Sequence, residues 1–330
     1  VRDIVIRSEK TEDYSRIAEL QFLAFANEEF IGESVLIDVL RHRGQFDPEL
    51  SLVAIKSNKI IGHILFNPFT LYHGQKEIPA VNLAPLSVDP DYQKIGIGRR
   101  LVEAGHEIAC KKGYYISFLW GHASYYPRFG YIKSAFAGGG IKVPQKKITF
   151  EDDISLSNNN LEAQIPRQKD IPYLVELWKK NFMDTGLSIF PGSSITDWVS
   201  YTSSVKTSLI KINGENKGYL RYKKGSENKP MFFLGEDAAS LIEMIAYLQG
   251  ELEGEKDNYE FILPLHPKNN IVKKIQDNIP YQPYLQTVDP FMICPLKGEI
   301  SDDLIDKKIQ AYLFYPHILI LLNHSIDLHI

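Results

Sequence analysis

A chain of 330 residues, 44% hydrophobic and 24% charged, is long enough for two domains with cores of their own. Its formal charge of −4, with no dense basic run, argues against a dedicated nucleic-acid binder. Two cysteines, Cys110 and Cys294, lie far apart without metal-ligand spacing, and the longest late apolar run, Ile318 to Leu322, is far too short to cross a bilayer. The opening residues have no apolar signal core, so the expectation is a cytoplasmic protein with no membrane partner.

In chain order, Asp3 to Arg7 reads as a strand. Thr11 then stands as an N-cap before an acidic turn and an amphipathic helix carrying Ile17, Leu20 and Ala24 as far as Phe25. An acidic connection from Asn27 to Glu33 leads to a second helix over Ser34 to Arg41. Leu50 to Lys56 and Ile60 to Phe66 form a hairpin about Ser57-Asn58-Lys59, and Asn67-Pro68 is expected to end the return strand.

An apolar strand, Val81 to Val88, meets Asp89-Pro90 and then Gln93-Lys94-Ile95-Gly96-Ile97-Gly98. A helix follows with Leu101, Val102, Gly105, Ile108 and Ala109 on one face, closed by Lys111-Lys112-Gly113. This order lets several backbone N–H groups converge on one anion at a helix N-terminus, and side chains at Gly96 and Gly98 would hold a phosphate away. Tyr114 to Trp120 reads as a fifth strand, HASYYPRFGY as a sharp turn with a short helix, and Ile141 to Val143 as a closing strand. The expected fold class is therefore α/β with a mixed sheet, without the regular alternation of a dinucleotide-binding domain. Gly98 is followed by Arg99 instead of the Lys-Ser or Lys-Thr of a nucleotide-triphosphate loop.

Two segments carry a family resemblance. The run LAPLSVDPDYQKIGIG, with Q-x-x-G-x-G at Gln93 to Gly98, precedes Tyr126-Pro127-Arg128-Phe129-Gly130-Tyr131 by about 30 residues. Together they resemble the GNAT superfamily of N-acetyltransferases. The resemblance implies the GNAT acyl-CoA N-acyltransferase fold over residues 1–150, with acetyl-CoA or another acyl-CoA as co-substrate. It places the pyrophosphate on Gln93, Lys94, Ile95, Gly96, Ile97, Gly98 and Arg99. The pantetheine arm then lies between splayed fourth and fifth strands, against Leu86, Ser87 and Val88. Tyr126 falls at the family's general-acid position, with Tyr125 as its neighbour if the register slips. The general base is open among Glu28, Glu29, Glu33, His122 and a water relay. The implied partner is a small-molecule or peptide amine, with the protein a monomer or homodimer. A non-catalytic acyl-CoA-binding regulator and an interaction scaffold are the competing readings.

The second half repeats the first in weak but ordered fashion. Asp13 to Leu20 lines up with Asp170 to Leu177, Gly62 with Gly218, Tyr115 to Leu119 with Tyr259 to Leu263, and His122 with His266. About a dozen residues are missing where the glycine loop stands, and Asp237 is expected to cap the following helix directly. Residues 160–298 thus read as a degenerate GNAT-like domain without a phosphate loop, joined through the linker Glu151 to Asn160. Phe291 to Leu296 reads as a last strand. Residues 299–330 are expected to form a helical extension with Leu304, Ile305, Ile309, Leu313 and Phe314 on one face. His317, His324 and His329 have no metal-ligand spacing.

Overall fold

The computed structural model describes residues 3–25, 32–135, 137–144, 160–200, 202–251, 260–287 and 290–297. The linker up to Asn159, the C-terminal extension with its three histidines, and Glu28 and Glu29 lie outside them, as does the side chain of Glu33.

The first half runs β1 (Ile4–Ser8), α1 (Tyr14–Ala24), α2 (Gly32–Arg41), β2 (Ser51–Lys56), β3 (Lys59–His73), β4 (Lys76–Val88), α3 (Ile97–Lys111), β5 (Ile116–Trp120) and β6 (Ala137–Val143). The second runs β7 (Leu161–Gln164), α4 (Ile171–Phe182), β8 (Leu187–Ile189), α5 (Ile195–Trp198), β9 (Val205–Ile212), β10 (Glu215–Lys223), β11 (Phe232–Gly235), α6 (Ala238–Glu251), β12 (Phe261–Leu263), α7 (Asn270–Lys273), β13 (Gln282–Thr287) and β14 (Phe291–Pro295).

Two local expectations are corrected. Thr11 is not the N-cap of α1. Residues 11–13 form a 3-10 turn, and Asp13 accepts the Lys10 N–H at 2.8 Å while also pairing with Arg7. Nor does Asn67-Pro68 end β3, which runs on to His73. Pro68 sits beyond the last β2 partner, Leu65, where β3 has β4 on one side and no β2 on the other, so a missing donor is tolerated. The Ser57-Asn58 turn has both φ angles positive, as a tight hairpin of twisted strands requires.

The principal sheet has the order β1-β2-β3-β4-β5-β14, with β8 added to the far end of β3. All its pairs are antiparallel except β4–β5. α3 packs on one face through Ile97, Leu101 and Val102 against Leu52, Ile64 and Phe66. On the other face Ile17 and Leu20 of α1 and Ile37 of α2 cover Val53 and Ile60. The second half builds β11-β10-β9-β7, the same order as β4-β3-β2-β1, with α6 packed against Ile210, Leu220 and Phe233.

The repetition extends to details. Asp170 accepts the Arg167 N–H at 2.8 Å, as Asp13 does from Lys10. A Cβ on Gly62 would lie 2.9 Å from Ile97 of α3, and one on Gly218 would lie 2.3 Å from Met244 of α6. Both glycines let a helix approach the sheet.

The halves also exchange strands. β14, from the end of the described chain, pairs with β5, while β6 lies between β12 and β13. A division at residue 150 therefore separates the sequence repeats without separating the sheets. The expected closing strand at Ile141 to Val143 exists, but it closes the other half.

Candidate functional site

The parallel β4–β5 ladder contains three pairs, Ala80–Ile116, Val81–Ser117 and Asn82–Phe118. β4 continues six residues further to Val88, with no β5 partner beyond Asn82, so the strands diverge into a wedge. Backbone alternation fixes what β4 presents to it. The Asp89 N–H donates to Ile61 O at 2.9 Å, and in an antiparallel pair hydrogen-bonded and non-bonded positions alternate. Ser87 thus bonds towards β3, whereas Leu86 and Val88 turn their N–H and C=O groups to the open side. Of the three positions that the resemblance assigns to the pantetheine arm, Leu86 and Val88 thus face the wedge, while Ser87 does not, because its backbone is paired with β3 and its hydroxyl with Gln21.

The loop after β4 is held from below. Asp89 is buried, accepts the Asp91 N–H, and pairs with Lys59 at 2.9 Å and Arg16 at 3.3 Å. Burial raises the Asp89 carboxyl, but the bonds from Lys59 and the Asp91 backbone outweigh it and leave the group below its ordinary value. Gln93 reaches back to donate to Val88 O at 3.2 Å. Lys94 and Gly96 adopt positive φ, +62° and +90°, which turns the chain sharply into α3. The first backbone bond there runs from Arg100 N–H to Gly96 O, so the N–H groups of Ile97, Gly98 and Arg99 have no carbonyl partner within the helix. Gln93, Lys94, Ile95 and Arg99 all lie on the outer side of this turn, exposed or partly so. A helix N-terminus in this state, carrying the positive end of the helix dipole, suits a phosphate.

The tyrosines that close the site divide the work. A Cβ on Gly98 would lie 2.5 Å from the Tyr125 hydroxyl, and one on Gly121 would lie 2.5 Å from the Tyr126 ring. Tyr125 therefore rests on the first turn of α3, while Tyr126 covers the end of β5. Their rings meet edge-on at 5.1 Å, and Tyr126 also meets Tyr131 at 5.7 Å. Burial raises the Tyr126 phenol, with Tyr125 adding to the effect, so it stays protonated. His122, the one base candidate with a described side chain, is exposed; its carbonyl accepts the Tyr125 N–H. Behind the tyrosines, Tyr131 bonds Ser117 at 2.6 Å and His106 at 2.9 Å, and burial lowers His106 to about 4.

Sequence reasoning missed a buried polar stack under the same end of β4. Arg41 pairs with Glu9 at 2.8 Å, and Glu9 approaches His63 at 3.4 Å. Gln21 Nε2 lies 3.2 Å from His63 Nδ1 and 2.6 Å from Ser87 Oγ. His63 and Gln21 have no exposed surface. Burial would raise Glu9, but hydrogen bonds from His63 and Arg41 hold it down at about 2. His63 is lowered by its burial, although Glu9 opposes this. The available signal was a polar residue at each of these positions amid strand and helix apolar patterns. Asn82, in the middle of an otherwise apolar strand, was missed for the same reason.

In the second half the corresponding helix start is filled. Asp237 accepts the Ser240 backbone N–H at 2.8 Å and its hydroxyl at 2.7 Å, as expected of a direct cap. Among the described residues, no group of three His, Cys, Asp or Glu is placed to hold a metal, and no helix is long and apolar enough to cross a membrane.

The family model for the acetyltransferase (GNAT) domain matches residues 5–133, from β1 to just past the Tyr126 turn. YjhQ, an uncharacterized N-acetyltransferase of Escherichia coli K12, is 40% identical over 120 residues, covering 36% of this chain and 64% of that protein. This chain thus spans slightly less than two thirds of that relative. YhbS, another uncharacterized N-acetyltransferase of the same strain, is 30% identical over 120 residues, covering 36% of this chain and 70% of its own length. The crystal structure of a GCN5-related N-acetyltransferase from Anabaena variabilis matches 89% of this chain and 73% of its own, with a TM-score of 0.63 and 14% identity, a likeness of fold. By its signature residues, its wedge and these relatives, the chain belongs to the GNAT acetyltransferase family.

Proposed function

We propose that this protein transfers an acetyl group from acetyl-CoA to a primary amine of a small molecule or peptide. One observation carries the reading: the open edge of β4 leads straight into a glycine loop whose helix N-terminus has no cap of its own. The residues fit the group. Gln93 to Arg99 supply backbone N–H groups for the pyrophosphate, and Leu86 and Val88 supply strand hydrogen bonds for the arm, with Ser87 turned away towards β3. The thioester supplies an activated acyl carbon.

The chain's own groups then have three tasks. A backbone N–H near the Val88 end of β4 donates to the developing oxyanion. The wedge holds the acyl carbon beside an amine that must be neutral to attack. Tyr126 donates to the departing thiolate. Its phenol lies above its ordinary value, hence above that of a thiol, so it acts chiefly by holding a hydrogen bond, and the proton that completes the CoA thiol balances the one the attacking nitrogen loses on becoming an amide. The half without a loop is proposed as a degenerate GNAT-like domain, covering residues 160–298, that completes the sheet and walls the acceptor site.

A CoA-release screen across amine classes tests this reading, beside calorimetric titration with acetyl-CoA. Binding with one equivalent per chain and release of CoA with an amine are expected. Binding without release over the whole panel would favour a non-catalytic acyl-CoA-binding role.

A further inference from the structure

Tyr131 ties the turn that carries Tyr126 to two other elements. Within residues 122–130 the hydrogen bonds run among the turn's own groups. Tyr125 N–H donates to His122 O at 2.9 Å, Gly130 N–H to Pro127 O at 3.2 Å, and Arg128 Nε to Tyr125 O at 3.1 Å. These bonds give the turn its shape and leave its height over β5 open. A thiol contact, Cys294 Sγ to Phe129 O at 3.5 Å, adds little, because a thiol is a weak donor. Tyr131 follows at once and bonds outward. Its hydroxyl lies 2.6 Å from Ser117 Oγ on β5 and 2.9 Å from His106 Nε2 on α3. It thus joins the strand that bounds the wedge, the helix that starts at the glycine loop, and the turn that carries the phenol.

Packing alone does not ask for this hydroxyl. Tyr131 is 3% exposed in a cluster with Phe66, Leu101, Leu119 and Met292, and Ser117 beside it has no exposed surface. A phenylalanine would fill the same volume with no polar atom to satisfy. Burial keeps His106 neutral, so its Nε2 can accept the Tyr131 O–H while the Ser117 O–H donates to the phenol oxygen. The group is then held from both sides. The Tyr131 ring in turn meets the Tyr126 ring edge-on, with centroids 5.7 Å apart.

We infer that Tyr131 is a positioning residue for the reaction: its bonds to Ser117 and His106 set where the Tyr126 phenol stands relative to the departing sulfur. The inference rests on the acyl-transfer reading above. It gives Tyr131, Ser117 and His106 a part in the rate and none in holding acetyl-CoA. Such a part has leverage, since a shift of about 1 Å in a reacting group costs up to about a hundredfold.

Steady-state kinetics with the amine found in the release screen test the inference, beside calorimetry with acetyl-CoA. Tyr131→Phe removes the hydroxyl and keeps the ring. It is expected to lower kcat about tenfold, with KM and Kd for acetyl-CoA within about twofold of wild type. His106→Leu should do the same, and His106→Gln, whose amide returns a polar atom near the place of Nε2, should recover most of the loss. The double variant Tyr126→Phe/Tyr131→Phe should turn over as fast as Tyr126→Phe alone, because an absent phenol has no place to keep. An unchanged kcat in Tyr131→Phe, a further loss in the double variant, or equal losses in His106→Gln and His106→Leu would each overturn the inference. Unaltered turnover in Tyr126→Phe would instead remove the phenol's role on which it rests. Wild-type protein that binds acetyl-CoA and releases no CoA with any amine would overturn the acyl-transfer reading itself.

Discussion

The two halves place the same elements around different interiors. In the first, Glu9, Gln21, His63 and Ser87 form a buried polar stack beside the end of β4. The spacing that takes Asp13 to Asp170 takes Glu9 to Pro166 and Gln21 to Trp178. The register that matches Gly62 to Gly218 takes His63 to Tyr219 and Ser87 to Leu234. Pro166, Trp178, Tyr219 and Leu234 are all buried, and Trp178 and Tyr219 lie among aromatic neighbours. At these four positions the half with an open helix N-terminus is polar, and the half whose helix is capped by Asp237 is apolar or aromatic. The common fold does not need the stack. Its presence beside the loop therefore reads as support for the site.

That contrast can be broken in several ways. The largest effect is expected at the Glu9–Arg41 pair, whose side chains are 1% and 6% exposed. Glu9→Gln leaves a buried guanidinium with only the exposed Asp38 as its charge partner and should cost about 3 kcal/mol in denaturant unfolding. The pH dependence has a definite sign. Because the folded carboxyl lies at about 2, its stabilisation is complete above the ordinary value near 4.5 and fades as pH falls from there towards 2. Wild-type unfolding curves should show that loss, and Glu9→Gln should flatten it.

Next is Tyr126→Phe, expected to lower turnover about a hundredfold with an amine identified in the release screen. Acetyl-CoA affinity should stay nearly constant, because the ring remains to cover Gly121. A variant with unchanged turnover would remove Tyr126 from the reaction. Gly98→Val is expected to weaken acetyl-CoA at least tenfold, since any Cβ there displaces the Tyr125 hydroxyl and crowds the first turn of α3. The smallest effect belongs to Asp237→Ala. Losing the α6 cap should cost about 1 kcal/mol, seen as a small drop in Tm. The number of acetyl-CoA sites should remain one, because removing a cap does not create a glycine loop. A second equivalent bound would collapse the distinction between the halves.

Much of this was legible along the chain. The β4-loop-α3 passage announces itself because glycine spacing and helix periodicity are local properties, and so does the β9–β10 hairpin around Asn213-Gly214. The route of β3 was not, since Pro68 reads as a strand end unless the reach of β2 is known. Strand exchange was invisible for a similar reason: β6 and β14 look like ordinary strands, and partner choice is a tertiary matter. At the site, Tyr126 and the loop could be placed by motif. The separate stations of Tyr125 over Gly98 and Tyr126 over Gly121 required three dimensions, as did the convergence of Gln21, His63 and Ser87 from three elements with Glu9 from the turn after β1.

The exchange of β6 and β14 also orders events in time. On a ribosome, every residue of the wedge and loop has emerged once β5 is made, yet β5 still lacks the strand that covers its outer edge. That strand comes only with Phe291 to Pro295. At ordinary elongation rates the delay is roughly ten to thirty-five seconds. During this interval β5 has an unpaired edge, and β6 awaits β12 and β13. The half that carries the site is thus the first to be made and among the last to be finished.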